Sequence, residues 1–189
     1  EVIRRLDLHP WMRILDLCAG TGDLAMQAAR YGIGEVMVTA LDFSWEMMSV
    51  GRNRADGTMA LQWICGDANH LPFPNASFDA IVVGFGLRNV TSVEQTLSEV
   101  YRILKTKGKF ISLDTAQTEW RWLMPFYRFY MKKVVPTFGS WLAGSKEMYQ
   151  YLTESAEAFY PPQHLQNLLN KTGFVETGYA FRPRGLGGA

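Results

Sequence analysis

Asp16-Leu17-Cys18-Ala19-Gly20-Thr21-Gly22-Asp23 closes an apolar run predicted as a strand over Arg13 to Cys18 and opens a segment predicted as a helix through about Tyr31. Gly20 and Gly22 permit a tight turn whose backbone N–H groups face a ligand, and the helix start beyond them adds partial positive charge. Working outward, further apolar runs predict strands at Val36 to Asp42, Leu61 to Asp67, Phe78 to Gly84, Lys109 to Asp114 and Phe174 to Phe181. Helical stretches lie between them. Ser44 caps Trp45 to Arg54. Thr91 or Ser92 opens a helix through Leu104 that Lys105, Lys107 and Gly108 end, and another helix starts near Pro161. Strands alternating with helices build a mostly parallel sheet covered on both faces.

Ligands of such sheets bind beyond the carboxyl ends of the strands. Three of the strands end in a carboxylate, at Asp16, Asp42 and Asp67. The run Gly20 to Ala25 also satisfies the dinucleotide pattern, so the glycines alone do not choose a cofactor. Asp16 chooses: it repels a pyrophosphate and attracts the ammonium and sulfonium of S-adenosylmethionine, which carries no phosphate. Asp42 stands where a carboxylate reaches both ribose hydroxyls. Asp67 and Ala68 offer an acceptor for an adenine amino group beside a small residue. The structural alternatives are a turn acceptor at Asp16 and a helix cap at Asp42. Asp114 reads as a loop or capping residue.

The 189 residues suit one domain, and 48% apolar with 20% charged residues is a globular composition. A net charge of +1 provides no field for nucleic acid. Cys18 and Cys65 make no disulfide framework and stand in no metal-ligand spacing, so no metal is implied and a reducing cytoplasm is the expected compartment. Neither a signal peptide nor a run long enough to span a bilayer is legible.

The segments DLCAGTGDL, ALDFS, GDANHLPFPNASFDAIV and RILKTKGKFISLD resemble the motifs of class I S-adenosylmethionine-dependent methyltransferases. Within that class, GFGLRNV at Gly84 to Val90 and the stretch from Gly139 to Phe174 resemble the UbiE/MenG-type C-methyltransferases of ubiquinone and menaquinone biosynthesis. The resemblance covers Ile14 to Gly178. It implies a Rossmann-like α/β fold and assigns the cofactor to Asp16, Gly20, Thr21, Gly22, Asp42, Asp67 and Ala68. It also implies methyl transfer to a ring carbon of a demethylated prenyl quinol.

Arg88 and Asn89 then fall where an acceptor faces the methyl group. Arg88 stays protonated, so its role is to hold a phenolate or orient a water that takes the proton, and Asn89 fixes that geometry. The bland reading pairs Arg88 with a carboxylate and leaves Asn89 in a turn. His70 reads as a partly exposed loop residue, His9 and His164 as structural. Residues 117–151 form a helical insert on the substrate side, after the fifth strand. Within it, the aromatic and basic residues of 120–136 suit peripheral contact with the inner face of a membrane as well as they suit a lid packed on the sheet. By the same resemblance, the family's N-terminal lid and last strand are expected to be absent from this sequence, and Asp114-Thr115-Ala116 stands where Glu-Phe-Ser is common. The alternatives are a methyltransferase for another hydrophobic small molecule, a nicotinamide-dependent oxidoreductase, and a cofactor-binding module without turnover.

Overall fold

Five strands in the order β3-β2-β1-β4-β5, all parallel, form the sheet: β1 Arg13–Leu17, β2 Met37–Asp42, β3 Leu61–Cys65, β4 Phe78–Gly84 and β5 Leu104–Leu113. They belong to a computed structural model that describes residues 2–32, 35–55, 57, 61–114 and 160–180. The chain divides into two compact units, Glu1–Asp114 and Thr115–Ala189. The sheet lies wholly in the first, with helices α1 Asp23–Tyr31, α2 Trp45–Arg54 and α3 Val93–Ile103. The strand order reverses between β1 and β4, the place where adjacent crossovers leave in opposite directions and open a crevice at the carboxyl ends.

Alternation decides which residues meet which layer. Ile14, Val38, Ala40, Ala80 and Val82 point to one face and are buried against Ala25, Ala28 and Ala29 of α1, with Ile3, Leu6 and Met12 closing the cluster. The small alanines let α1 lie close to the sheet. Leu15, Leu17, Leu41, Ile81 and Val83 point the other way and are also buried, as are Leu97, Val100 and Ile103 of α3. Strands buried on both faces read as near-continuous apolar runs, which is why β1 and β4 are legible in the sequence.

Several expected boundaries shift, and β3 ends at Cys65, two residues before Asp67. Helix α3 ends at Ile103, and the chain turns directly into β5 at Leu104, five residues before the expected start. Lys105, Lys107 and Gly108 therefore form no loop. Leu104 pairs with Phe78, the register then shifts before Ala80 meets Lys109, and Lys107 takes φ 64 in that irregularity. Lys105 anchors it by donating to both carboxylate oxygens of Asp79 at 2.9 Å. Charge that suggested a solvated turn is held by an ion pair the sequence did not reveal.

In the second unit, the described residues form α4, Pro162–Thr172, ended by Gly173 at φ 113. Residues 174–180, expected as most of a strand, are irregular, with Glu176 at φ 53. They fold back on α4 through side chains instead. Gln166 Nε2 donates to Thr177 O at 2.8 Å and Gln163 Nε2 to Tyr179 Oη at 2.7 Å. The expected insert over residues 117–151 and its surface over 120–136 lie outside the described residues, as does Phe181. Among the described residues no helix is long and apolar enough to cross a membrane.

Candidate cofactor site

The turn after β1 is built around carboxylates rather than around open amides. Asp16, 2% exposed at the end of β1, accepts from Ala25 N at 2.8 Å and so ties the strand to the first turn of α1. Asp42, at the end of β2, accepts from Gly20 N through Oδ2 and from Ser44 N through Oδ1, each at 2.8 Å. Ser44 in turn caps α2 by accepting from Met47 N at 3.3 Å. The cap foreseen as Asp42's alternative role therefore belongs to Ser44. Asp42 keeps lone pairs on both oxygens for further donors.

The glycine turn was expected to aim its N–H groups at a ligand, but three of them are already committed. Ala19 N donates to Leu41 O at 3.0 Å, Gly22 N to Ala19 O at 2.8 Å, and Gly20 N to Asp42. The physical reason is the neighbouring strand end, whose carbonyl and carboxylate lie within reach of the turn. Gly22 takes φ 74, and a Cβ placed there would lie 2.3 Å from the Trp63 ring, so neither the backbone nor the space admits a side chain. Thr21 Oγ1 donates to Asp23 at 3.0 Å.

Asp67 follows β3, accepts from Asn69 N at 2.9 Å and keeps a largely exposed carboxylate, with Ala68 buried beside it. His70 is a loop residue, as expected, but more exposed than expected, and its Nδ1 stands 3.5 Å from Asp67 Oδ2. His9 contacts Pro10 O, and His164 stacks on Tyr160 in the second unit.

Electrostatics brings the three strand ends together. The Asp16 carboxyl is pushed up to about 7, first by burial and then by the negative charge of Asp42 and Asp23. Cys18, between Asp16 and the glycines, is pushed up to about 12 by burial and by Asp42, Asp16 and Asp67 in turn. All three predicted carboxylates thus act on one thiol. A buried concentration of negative charge without a compensating cation raises acid pKa values in this way, and a cationic ligand relieves it.

Across the crevice, the turn after β4 runs from Phe85 through a short 3-10 helix over Leu87–Asn89. A Cβ on Gly86 would lie 2.3 Å from Cys18 Cβ, so this turn lies directly against the cofactor turn. Arg88 Nη1 donates to Asp114 Oδ1 at 2.9 Å, and the two side chains are only 4% and 7% exposed. Asn89 Nδ2 donates to Phe85 O at 3.3 Å. Asp114, expected as a loop or capping residue, is instead the ion-pair partner of Arg88. The one signal for it was its place as a fourth strand-end carboxylate.

A family model for the ubiE/COQ5 methyltransferase family matches residues 2–187. The chain belongs to the ubiE/COQ5 methyltransferase family. It is similar to the ubiquinone/menaquinone biosynthesis C-methyltransferase UbiE of Methylobacterium nodulans, with 36% identity over 176 residues covering 92% of this chain and 70% of that one. It is also similar to the demethylmenaquinone methyltransferase of Geobacillus kaustophilus, with 38% identity over 178 residues covering 93% and 76%. Among solved structures, the YcgJ protein of Bacillus subtilis matches with a TM-score of 0.59 and 29% identity, covering 67% of this chain and 53% of that one. A putative methyltransferase of Bacillus halodurans matches at 0.67 and 20% identity, covering 92% and 67%, a likeness of fold. As a member of the ubiE/COQ5 family the chain is a methyltransferase, and its parallel sheet is that of the Rossmann-like class I enzymes.

Proposed function

We propose that the protein transfers a methyl group from S-adenosylmethionine to a ring carbon of a demethylated prenyl quinol, such as demethylmenaquinol or a ubiquinone precursor. The observation that carries the cofactor side is the convergence of Asp16, Asp42 and Asp67 on Cys18 beside a turn three of whose amides are already bound. That donor set suits a cation and offers little to a pyrophosphate, which needs open amides and no adjacent carboxylate. The nicotinamide alternative fits it poorly. Asp16 serves the ammonium end, Asp42 the ribose hydroxyls, and Asp67 with Ala68 the adenine, with Gly20, Thr21 and Gly22 shaping the floor. When bound, S-adenosylmethionine supplies an electrophilic methyl group on its sulfonium.

For the acceptor, the relatives named for ubiquinone and menaquinone biosynthesis support a quinol. A quinol hydroxyl that loses its proton concentrates electron density on the ortho ring carbon, the atom that accepts the methyl. Arg88, held in place by Asp114, presents fixed positive charge to that phenolate and needs no reorganisation when the charge appears. Asn89, bound to Phe85 O, keeps the turn in shape. A second reading is favoured by the burial of the Arg88–Asp114 pair: the pair ties the β4 turn to β5 and touches no acceptor. Contact with a membrane, and residence at its inner face, are proposed only on the chemistry of a prenyl tail.

The deciding experiment is calorimetric titration with S-adenosylmethionine and with NAD, followed by product analysis with short-chain demethylated naphthoquinol and benzoquinol. Binding of the sulfonium compound with carbon methylation of a quinol is expected. Binding of NAD in its place sinks the reading. Cofactor binding without methylation of any acceptor leaves the non-catalytic module.

A further inference from the structure

Phe85 is the first residue beyond β4 and adopts φ 57. A bulky residue in the left-handed region is an outlier, and outliers of this kind gather where a site imposes them. Glycine would take the same backbone without strain. The backbone is held there from both sides: Phe85 N donates to Leu113 O at 2.7 Å, and Phe85 O accepts from Asn89 Nδ2. The ring does not fill the core, since the residue is 40% exposed. The Arg88 guanidinium lies 5.7 Å from the ring centroid. Next along the chain, Gly86 brings the turn against Cys18, in the midst of the cofactor carboxylates. A half-exposed aromatic face therefore stands beside a fixed cation, in a turn that lies against the cofactor turn.

We propose that Phe85 is the platform on which the aromatic ring of the methyl acceptor stacks, beside the Arg88 charge, and that it selects flat aromatic acceptors over aliphatic ones. The inference rests on reading the Phe85–Asn89 turn as the acceptor side of the site. Aromatic rings prefer offset or edge-to-face contact at centroid separations of about 4.5–7 Å, so a ring on Phe85 lies within reach of the guanidinium that neighbours it. Phe85 contributes position and selectivity, not proton transfer.

The test uses the full chain with S-adenosylmethionine and a short-chain demethylated naphthoquinol, and compares Phe85→Gly, Phe85→Asn and Phe85→Tyr. Glycine and asparagine both accept the left-handed backbone, so one folded variant suffices. The expected result is an unchanged or raised melting temperature, an unchanged cofactor Kd, and an acceptor KM raised about tenfold, the size of one stacking contact. Tyrosine restores the acceptor KM. A lowered melting temperature with an unchanged acceptor KM overturns the proposal and makes the ring a packing element. Failure of the underlying reading shows itself separately, as a parent protein that binds cofactor and methylates no quinol.

Discussion

Asp16 sits in the strand end with its charge opposed by everything nearby except the Ala25 amide. Its ordinary pKa of 3.8 applies to the unfolded chain and about 7 to the folded one, so between those values the folded state holds the extra proton. Stability therefore falls as pH rises through that window and levels off above about 7. Asp16→Asn keeps an acceptor for Ala25 N and removes the ionisation. Denaturant unfolding at pH 5 and pH 8 is expected to show a decline for the parent protein and a flatter response for the variant. Cofactor affinity should move oppositely, because a cation favours the ionised carboxyl: it rises with pH toward neutrality in the parent and is weak and flat in Asp16→Asn. Titrations kept below the range of about 7.7–8.0 avoid loss of the proton on the ligand's own amine.

At the same scale, Arg88 and Asp114 separate structure from catalysis. Removing one member of a buried pair strands the other charge, so Arg88→Met is expected to destabilise by about 3–5 kcal/mol. The double variant Arg88→Met with Asp114→Leu leaves neither charge of this pair behind and should recover part of that stability. Methyl transfer should not recover with it if Arg88 holds the phenolate. A double variant that is both stable and fully active assigns the pair to the scaffold, and thermal unfolding beside initial rates reads both outcomes. Arg88 was legible as a candidate because a guanidinium after a strand end stands out in the sequence. Its partner, 26 residues away, became visible only when β4 and β5 paired.

Among the elements, α3 does more than cover the sheet. Its polar stripe of Ser92, Gln95, Thr96, Glu99 and Arg102, at helical spacing, grips the segment that follows Asp67. Asn69 Nδ2 donates to Ser92 O at 2.8 Å, Leu71 N donates to Glu99 at 2.8 Å, and Arg102 donates to Leu71 O at 3.0 Å and Phe73 O at 2.7 Å. Arg102 also holds Glu99 through both carboxylate oxygens at 2.7 Å, which keeps that carboxyl below its usual range. Arg102→Met should cost ~2 kcal/mol, the scale of a hydrogen bond to a charged group. It should also weaken cofactor binding through Asp67 and Ala68, with the turnover of saturated enzyme little changed. Faster amide exchange confined to Leu71–Asn75 would locate the effect, and an unchanged cofactor Kd would refute it. The apolar face of α3 is readable from periodicity. Its polar grip is not, because many of the groups it holds are backbone carbonyls and amides, which every sequence has.

For the first unit as a whole, the balance of ligands follows from charge and topology. S-adenosylmethionine at about 100 times its Kd should stabilise the fold by about 2.7 kcal/mol, a rise of several degrees in melting temperature for a chain of this size. NAD at the same concentration should leave the melting temperature unchanged, and a rise with NAD alone would reverse the cofactor assignment. The sequence by itself determined the alternation of strands and helices, the glycine turn and the three strand-end carboxylates, because burial on both faces and tight turns leave local marks of composition and period. Only the tertiary structure decided that those carboxylates share one thiol as neighbour, that three of the turn's amides are already bound, and that Arg88 faces Asp114. Each of these depends on strands distant in sequence pairing in register, and no local pattern carries that information.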